Sequence, residues 1–398
     1  MASALEGIRV IDMTGVLLGP AGSQILGDLG ADVIKVESPA GDTTRSVGHS
    51  RHEGMASLFL HTNRNKRSLA IDLKRPEGLA VLRKLLETAD VLFHNMRPQA
   101  MARLGLSYEE VRRIRPDIVY CGAFGYGQGG RYAKRPAYDD LIQGAVALPD
   151  LFGRLGVPPC YIPAAFLDRL TALTAVYSII AALLHRQRTG EGQSIEIPMF
   201  ETIAQMILAE HLGGRSFEPP IGPMGYSRLL SPYRRPYRTS DGYVCALMYT
   251  DRHWRRFFEA VGRADLSDSP KFRTLAERNR HIDEIYQIAE AAFLEHETAH
   301  WVDLLDDLEI PVVPLNTLES LMDDPHLADV GFFETVDHPT EGPIRSMPQA
   351  SRWSRTQPSV RRQAPRLGGD SAEILAEAGY SAAEIEGLQQ EGVVRVAD

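Results

Sequence analysis

The sequence has few cysteines, no excess of positive charge and no long apolar run. Its three cysteines, Cys121, Cys160 and Cys245, lie far apart and form no CxxC or other metal-ligand spacing. Each stands in an apolar or strand-like context, which predicts buried free thiols in a reducing compartment. The net charge of −9 argues against a general nucleic-acid-binding or anionic-membrane-binding protein.

Targeting and membrane-spanning patterns are missing as well. Residues 1–7 lack the basic start and the apolar core of a signal peptide. No window contains ~18 uninterrupted apolar residues, the length that a membrane-spanning helix needs. We therefore expect a cytoplasmic protein whose partners include neither a membrane nor a nucleic acid.

Strand and helix signals alternate in the N-terminal half of the chain. Short β-branched or apolar runs predict strands over residues 8–13, 32–36, 68–73, 90–93, 117–124 and 194–197. Helices are predicted to start near Pro20 and Pro76, after the capping box Ser107–Glu110, and at residue 200. This alternation predicts a Rossmann-like, doubly wound parallel α/β sheet.

The chain is long enough for a large domain and a smaller one. Residues 1–212 are predicted to form the N-terminal part of the large domain, and residues 213–240, rich in Gly, Pro, Tyr and Arg, a linker. Residues 241–308 are predicted to form a smaller α+β domain. Residues 309–398 are then a return linker and the C-terminal part of the large domain, ending in a helix opened by the capping box Ser381–Glu384.

Two motifs match familiar patterns without their structural context. The run Gly125–Gly130 satisfies G-x-G-x-x-G after a strand, but Pro136 argues against the helix that a dinucleotide site requires. A flexible glycine loop is the better interpretation. The run His296–His300 matches H-E-x-x-H, yet Thr298 is predicted to be the N-cap of the next helix, and no third ligand is evident. We expect no metal site.

Asp168 stands at the entrance of a long apolar helix. Amide dipoles favour negative charge at this position, so the carboxylate can stay ionised and act as a covalent nucleophile toward an activated acyl group. It can equally be a simple N-cap, since Asp is a preferred capping residue. Local sequence leaves both interpretations open.

Several segments in combination make the chain resemble the class III CoA-transferases, the family that contains formyl-CoA and carnitine CoA-transferases. The resemblance covers nearly the whole chain and rests on residues 5–12, 19–20, 26–39, 41–45, 63–69, 72–74, 76–78, 94–98, 103–106 and 188–193 together with Asp168. It implies an interlaced homodimer that takes acyl-CoA and a carboxylic acid as substrates and binds no cofactor tightly.

The resemblance also implies which residues do the chemistry. Asp168 would attack the thioester, forming an aspartyl anhydride and then an aspartyl-CoA thioester from which the acceptor collects CoA. The coenzyme's path would be lined by Val16, Leu17, Ile71, Asp72, Leu73, Lys74, Asn95, Met96, Arg97, Arg103, Tyr138 and Asp139. Pro136 stands where some members have a lysine. The cations available for the coenzyme phosphates are Arg64, Lys66, Arg67, Lys74, Arg97 and Arg103.

Two other functions stay open. A 2-methylacyl-CoA racemase shares the fold, but it needs a second acid or base, typically a histidine, and residues 135–140 contain none. A CoA-binding protein without turnover is the other alternative. The sequence does not identify the acceptor site. Two interpretations stay open for Arg228, Arg234, Arg235 and Tyr237: they bind a substrate carboxylate, or they are solvent-exposed residues of the linker. A glycine lid is not expected, because the linker has only Gly213, Gly214, Gly222 and Gly225.

Overall fold

The computed structural model describes residues 3–397, which divide into two compact units. The first comprises residues up to 146, 162–205 and from 328 onward; the second comprises residues 147–161 and 206–327. The strands are β1 Arg9–Met13, β2 Asp32–Glu37, β3 Lys66–Ile71, β4 Val91–His94, β5 Val119–Phe124, β6 Gln193–Pro198, β7 Tyr237–Arg238, β8 Tyr243–Ala246, β9 Val312–Pro314, β10 Glu334–His338, β11 Gly342–Ser346 and β12 Val394–Arg395.

Helices follow most strands of the first unit and make up most of the second. They are α1 Leu18–Asp28, α2 Ser57–Leu60, α3 Pro76–Leu86, α4 Pro98–Arg103, α5 Tyr108–Ile114, α6 Asp139–Ala145, α7 Leu148–Arg154, α8 Phe166–Thr189, α9 Met199–His211, α10 Asp251–Ala260, α11 Leu275–Arg280, α12 Ile282–Phe293, α13 Thr298–Asp307, α14 Leu318–Met322, α15 Pro325–Asp329, α16 Ser371–Glu377 and α17 Ala382–Gln390. Both predicted capping boxes are present, at Ser107 and at Ser381.

The large sheet of the first unit has the strand order β12-β3-β2-β1-β4-β5-β6. Strands β1 to β6 pair in parallel, which confirms the predicted doubly wound sheet. The short edge strand β12, which was not predicted, pairs antiparallel with β3. Leu92 packs in a core cluster with α3, α5 and α16, whereas the ring of the next residue, Phe93, faces Gly22 of α1. Successive strand residues point to opposite faces, so helices cover both sides.

Strands β1 to β3 also carry fully buried charges. Lys66 is 1% exposed, and its Nζ lies 3.1 Å from Asp12 Oδ2. Nearby, Arg64 pairs with buried Asp28 at 2.7 Å, and Arg67 pairs with the half-buried Asp32 at 2.6 Å. Three of the six cations proposed for the coenzyme phosphates are thus bound to carboxylates of the fold. That part of the prediction is wrong, because a sequence does not show which basic residues already have a partner.

The second unit is organised around an aromatic core under a small antiparallel sheet. Strands β7, β8 and β9 pair in that order. Trp254, Phe257 and Trp301 are among the buried aromatic residues that the helices pack against the sheet. Residues 213–240, predicted as a linker, belong to this unit, and so do residues 147–161.

The cysteines only partly match their predicted burial. Cys121 in β5 is buried, but Cys245 is half-buried and Cys160 is exposed. Cys160 lies among exposed residues just before α8, and the apolar neighbours that suggested burial do not cover it. The predicted cytoplasmic location stays a prediction.

Helix α8 is long and apolar enough to span a membrane by length and composition alone. Half of its most apolar window is buried inside the structure, and it packs against α1. These contacts are those of a core helix in the first unit.

Candidate active site

A cavity of about 340 Å³ opens at the carboxyl edge of the large sheet. Its walls come from the segments that follow β1, β4 and β5 and from the start of α8. Strands β1 and β4 are neighbours, and the chain leaves them in opposite directions along the sheet. This is the topological switch point at which doubly wound sheets bind ligands. The lining residues are Gly15, Val16, Leu17, Leu18, Asn95, Arg97, Pro98, Ala123, Phe124, Gly125, Tyr126, Gln128, Ala133, Arg135, Pro136, Ala137, Tyr138, Asp168 and Met199.

The β1–α1 loop, residues 14–17, forms one wall of this cavity. Asn95 holds Gly15 through two hydrogen bonds: Gly15 N–H donates to Asn95 Oδ1 (3.0 Å), and Asn95 Nδ2 donates to Gly15 O (2.8 Å). Gly19 lies so close to Thr14 that a Cβ at position 19 would be 2.2 Å from the threonine Cβ. The glycine therefore allows the first turn of α1 to pack closely against Thr14.

The amino end of α1 has unpaired backbone donors at the wall of this cavity. The N–H groups of Leu17, Leu18 and Gly19 have no hydrogen-bond partner within residues 3–397. The first turn of a helix carries unpaired N–H groups and a partial positive charge. The loop can therefore bind an anionic group or an oxyanion that enters the cavity.

Asp168 lies in the first turn of α8 and faces the same cavity. The helix begins at Phe166 and its N-cap is Ala165, so the N-cap interpretation of Asp168 is wrong. Burial, and secondarily the negative charge of Asp139, raise the pKa of Asp168 from 3.8 to about 6, while Arg169 opposes the shift. The carboxylate is still mostly ionised at neutral pH, in keeping with its predicted charge state, but it is far less solvated than a surface aspartate.

Asp139 accepts hydrogen bonds from the first turn of α8, the helix that contains Asp168. Its Oδ2 accepts hydrogen bonds from the backbone N–H groups of Leu167 (2.8 Å) and Asp168 (3.0 Å), and its Oδ1 accepts one from Gln143 Nε2 (2.7 Å). Asp139 is buried and does not line the cavity. The resemblance implied a coenzyme contact for this residue, whereas its position is that of a cap that fixes the start of α8.

The other predicted coenzyme residues fall into two groups. Val16, Leu17, Asn95, Arg97 and Tyr138 line the cavity with Asp168. Outside its walls lie Ile71, Asp72, Leu73, Lys74, Met96, Arg103 and Asp139. Ile71 ends β3, and residues 72–74 follow it at the same edge of the parallel sheet. The exposed cations Lys74, Arg97 and Arg103 form no ion pair within residues 3–397. They remain available to an anionic ligand.

The glycine-rich loop after β5 contributes further lining residues that were not predicted from the sequence: Tyr126, Gln128, Ala133 and Arg135. Gly127 N–H donates to Glu201 Oε1 (3.0 Å) and Gln128 N–H to Glu196 Oε1 (2.7 Å). Carboxylates of the protein occupy these amides, so the loop does not bind a pyrophosphate as a dinucleotide fingerprint does. The glycine run itself was the only sequence signal for these residues.

The H-E-x-x-H motif, residues 296–300, does not place both histidines on one helix. Helix α13 begins at Thr298 with Glu297 as its N-cap, one residue earlier than predicted, and His296 precedes it. The ring centroids of His296 and His300 lie 4.1 Å apart, with the ring planes tilted by 38°. Among residues 3–397 no group of three or more His, Cys, Asp or Glu side chains is arranged to hold a metal ion.

Comparison with known proteins gives one consistent relationship. The sequence pattern of CoA-transferase family III matches residues 5–371. The succinyl-CoA:glutarate CoA-transferase of Mus musculus is 34% identical over 395 residues, covering 98% of this chain and 90% of the relative. The succinate–glutarate CoA-transferase of Agrobacterium fabrum is 34% identical over 386 residues, covering 94% and 95%. The structure of a CAIB/BAIF family protein from Brucella suis superposes with a TM-score of 0.79 at 30% identity, covering 95% and 100%.

Proposed function

The chain belongs to CoA-transferase family III and is an enzyme that transfers CoA, and from that premise we propose that it works through covalent intermediates on Asp168. The observation that carries the proposal is the position of this carboxylate. The carboxylate is half-buried and lines the cavity. The unpaired amides at the amino end of α1 belong to the wall of the same cavity. A nucleophile and oxyanion donors at one cavity are the two groups that acyl transfer requires.

The reaction balances without any further reagent. A carboxylate oxygen of Asp168 attacks the thioester carbonyl carbon, the C–S bond breaks, and the CoA thiolate leaves a mixed anhydride. The thiolate then attacks the Asp168 carbonyl carbon, which releases the donor acid and forms an aspartyl-CoA thioester. The acceptor carboxylate attacks that thioester, and the released thiolate takes the acceptor's acyl group, restoring Asp168. A carboxylate is a weak nucleophile, so positioning and oxyanion stabilisation supply most of the rate.

For the acceptor we propose a small dicarboxylic acid. The names of the two relatives above both contain glutarate, together with succinyl-CoA in one and succinate in the other. A separate cavity of the second unit, about 410 Å³, is lined by Arg228, Arg234 and Arg235 together with Tyr237. Arg235 pairs with Glu290 at 2.7 Å. The other two arginines form no ion pair within residues 3–397, so they can bind a carboxylate. The acceptor carboxylate that reacts must itself enter the cavity that contains Asp168.

The racemase alternative is disfavoured by the composition of the active-site cavity. No histidine lines it among the described residues. His94 directly precedes the lining residue Asn95 in the sequence. It is 1% exposed, and burial lowers its pKa to about 4. Its ring is buried outside the cavity walls, so it is not placed to exchange a proton with a substrate in the cavity.

We also propose that the enzyme is a homodimer, interlaced as the family resemblance implies. Helix α8 supports a large protein interface, because one side of it exposes Phe166, Leu173, Tyr177 and Leu184. These residues are 7, 4 and 7 positions apart, which keeps them on related turns of the helix. Gel filtration with light scattering tests this state, and a monomer at micromolar concentration would contradict it.

A CoA-exchange assay read by mass spectrometry tests the function. Purified protein is mixed with succinyl-CoA and a panel of mono- and dicarboxylic acids, beside Asp168→Ala and the exposed-site control Asp140→Ala. We expect new acyl-CoA species with dicarboxylates in the wild type and the control, and none in Asp168→Ala. Denaturing mass spectrometry of the wild type should also show CoA attached to the peptide that contains Asp168. Exchange that persists in Asp168→Ala would remove the proposed nucleophile, and deuterium uptake at the α-carbon without exchange would favour the racemase.

A further inference from the structure

Asp42 lies behind the β1–α1 loop, outside the residues that the family resemblance assigns to the coenzyme. It is the N-cap of the short 3₁₀ turn Thr43–Ser46. Its two carboxylate oxygens accept a hydrogen bond from the backbone N–H of Val16, at 3.3 Å and 3.2 Å. The N–H of Thr44 and the Nζ of Lys35 donate to the same carboxylate, at 2.9 Å and 3.0 Å. Asp42 is thus tied both to its own turn and to the cavity wall.

Val16 has an unusual backbone conformation. Its φ is +66°, in the left-handed region, which a β-branched residue rarely adopts. Its side chain is 42% exposed, so packing contributes little to holding it there. Strained backbone of this kind persists only where the surroundings fix it, and it is concentrated at functional sites. The hydrogen bonds of Gly15 with Asn95 and of Val16 with Asp42 are the contacts that fix this loop.

Lys35 fixes Asp42 in turn. Its side chain is completely buried, and its Nζ donates both to Asp42 Oδ2 (3.0 Å) and to the backbone oxygen of Thr14 (3.0 Å). One buried ammonium group therefore holds the first residue of the loop directly and the third through Asp42. Glu37 completes the support, because its Oε2 accepts the N–H of Asp42 at 3.0 Å.

We propose that Asp42, held by Lys35, is a positioning residue that keeps Val16 in its left-handed conformation and so aligns the amino end of α1 for binding of the coenzyme thioester. The inference rests on the proposed function in one respect, namely that acyl-CoA binds at this loop. The clamp, by which we mean the contacts from Lys35 to Asp42 and from Asp42 to Val16, is a property of the free protein. Without it the loop relaxes toward ordinary backbone conformations, and the unpaired amides of Leu17 and Leu18 lose their fixed positions at the cavity wall.

A double-mutant design tests the clamp. The variants are Asp42→Ala, Asp42→Asn, Val16→Gly and the combination of Val16→Gly with Asp42→Ala. Glycine adopts positive φ without the penalty that valine has. We expect Asp42→Ala to raise the KM for acyl-CoA about tenfold with kcat changed less than about threefold, and Val16→Gly to restore most of that loss, since the left-handed penalty corresponds to about a tenfold factor. Because Val16 lines the cavity, Val16→Gly alone is measured as the reference, and removing Asp42 should raise KM far less in that background than in the wild type.

Hydrogen–deuterium exchange gives a readout that does not depend on activity. The peptide that covers residues 14–19 should exchange faster in both Asp42 variants than in the wild type, in the absence of any coenzyme. Asp42→Asn keeps an amide oxygen for Val16 but loses the charge that pairs with Lys35, so we expect a smaller increase in exchange than in Asp42→Ala. It replaces Asp42→Ala if that variant does not fold.

The outcomes separate the clamp from the proposed function. If folded Asp42 variants keep wild-type exchange and KM, the clamp is refuted. If KM rises but Val16→Gly does not rescue it, Asp42 acts only through general stability, and the inference is equally overturned. If instead calorimetry shows no binding of coenzyme A to the wild type while the exchange pattern is as expected, the proposed function fails and only the clamp stands.

Discussion

Asp12 and Asp168 are two poorly solvated carboxylates of the same unit, and their environments shift their pKa values in opposite directions. Burial raises the pKa of both. At Asp12 the ammonium groups of Lys66 and Lys35 outweigh burial and bring the pKa down to about 2. At Asp168 the nearest carboxylate, Asp139, adds to burial, and the pKa rises to about 6.

The fold thus separates charges that support the structure from the charge that reacts. The charges under β1–β3 have all their partners inside the protein, so they hold the sheet edge and the loops in place. Asp168 is left without an opposing charge of comparable strength, which costs stability but leaves its oxygens free to attack a substrate. Functional residues commonly carry such a cost. Three substitutions test whether the two carboxylates differ in this way.

The largest expected effect is on stability, from Asp12→Asn. Removing this carboxylate leaves the Lys66 ammonium, 3.1 Å away and fully buried, without its charge partner. Breaking a buried pair in this way typically costs about 3–5 kcal/mol of unfolding free energy. Urea denaturation followed by circular dichroism measures it. The matched control is Asp32→Asn, whose side chain is 35% exposed and whose partner Arg67 keeps two glutamates, so we expect about 1 kcal/mol or less. Equal losses in both variants would mean that burial of the pair is unimportant.

Asp168→Asn should have the opposite sign: it should inactivate the enzyme and stabilise the fold. A carboxyl group whose pKa is about 6 in the folded state and 3.8 unfolded costs stability as pH rises between these values, because the unfolded chain ionises first. Asparagine has no such cost. After allowance for its partial exposure, we expect a gain of about 1–2 kcal/mol at pH 7 that fades as pH falls below 6 toward 4.

Thermal unfolding at pH 7, 5.5 and 4 checks this prediction, with exposed Asp140→Asn as a control that should change nothing. A gain that is the same at all three values, or no gain at pH 7, would show that the charge of Asp168 is not the cause.

Much of this arrangement could be predicted from sequence. The six parallel strands follow from short apolar runs that alternate with helix signals, and the position of Asp168 at the start of α8 follows from the apolar helix after it. Local pattern is sufficient there, because strand and helix propensities and capping act over a few residues. The family resemblance added Asn95, Arg97 and Tyr138, which do line the cavity.

The remaining features depend on contacts between residues far apart in sequence. Asp139 caps a helix that begins 27 positions later, and Asp42 reaches back 26 positions to Val16. Nothing near Lys66 in the sequence distinguishes it from a coenzyme-binding lysine; only the fold places Asp12 beside it. The two-residue strand β12 is too short to carry any periodic signal.

The smallest expected effect, and the sharpest for the mechanism, comes from Asp139→Asn. The amide oxygen can still accept the N–H groups of Leu167 and Asp168, so α8 should begin at the same residue. The negative charge beside Asp168 is lost, and the pKa of Asp168 should fall. Because the nucleophile must be ionised, the acid limb of kcat/KM for acyl-CoA, expected near pH 6, should move to lower pH by about one unit. Asp140→Asn, the adjacent but exposed carboxylate, should leave the limb in place. An unmoved limb in Asp139→Asn would mean that burial alone sets the pKa of Asp168, and Asp139 would then serve only to hold the helix.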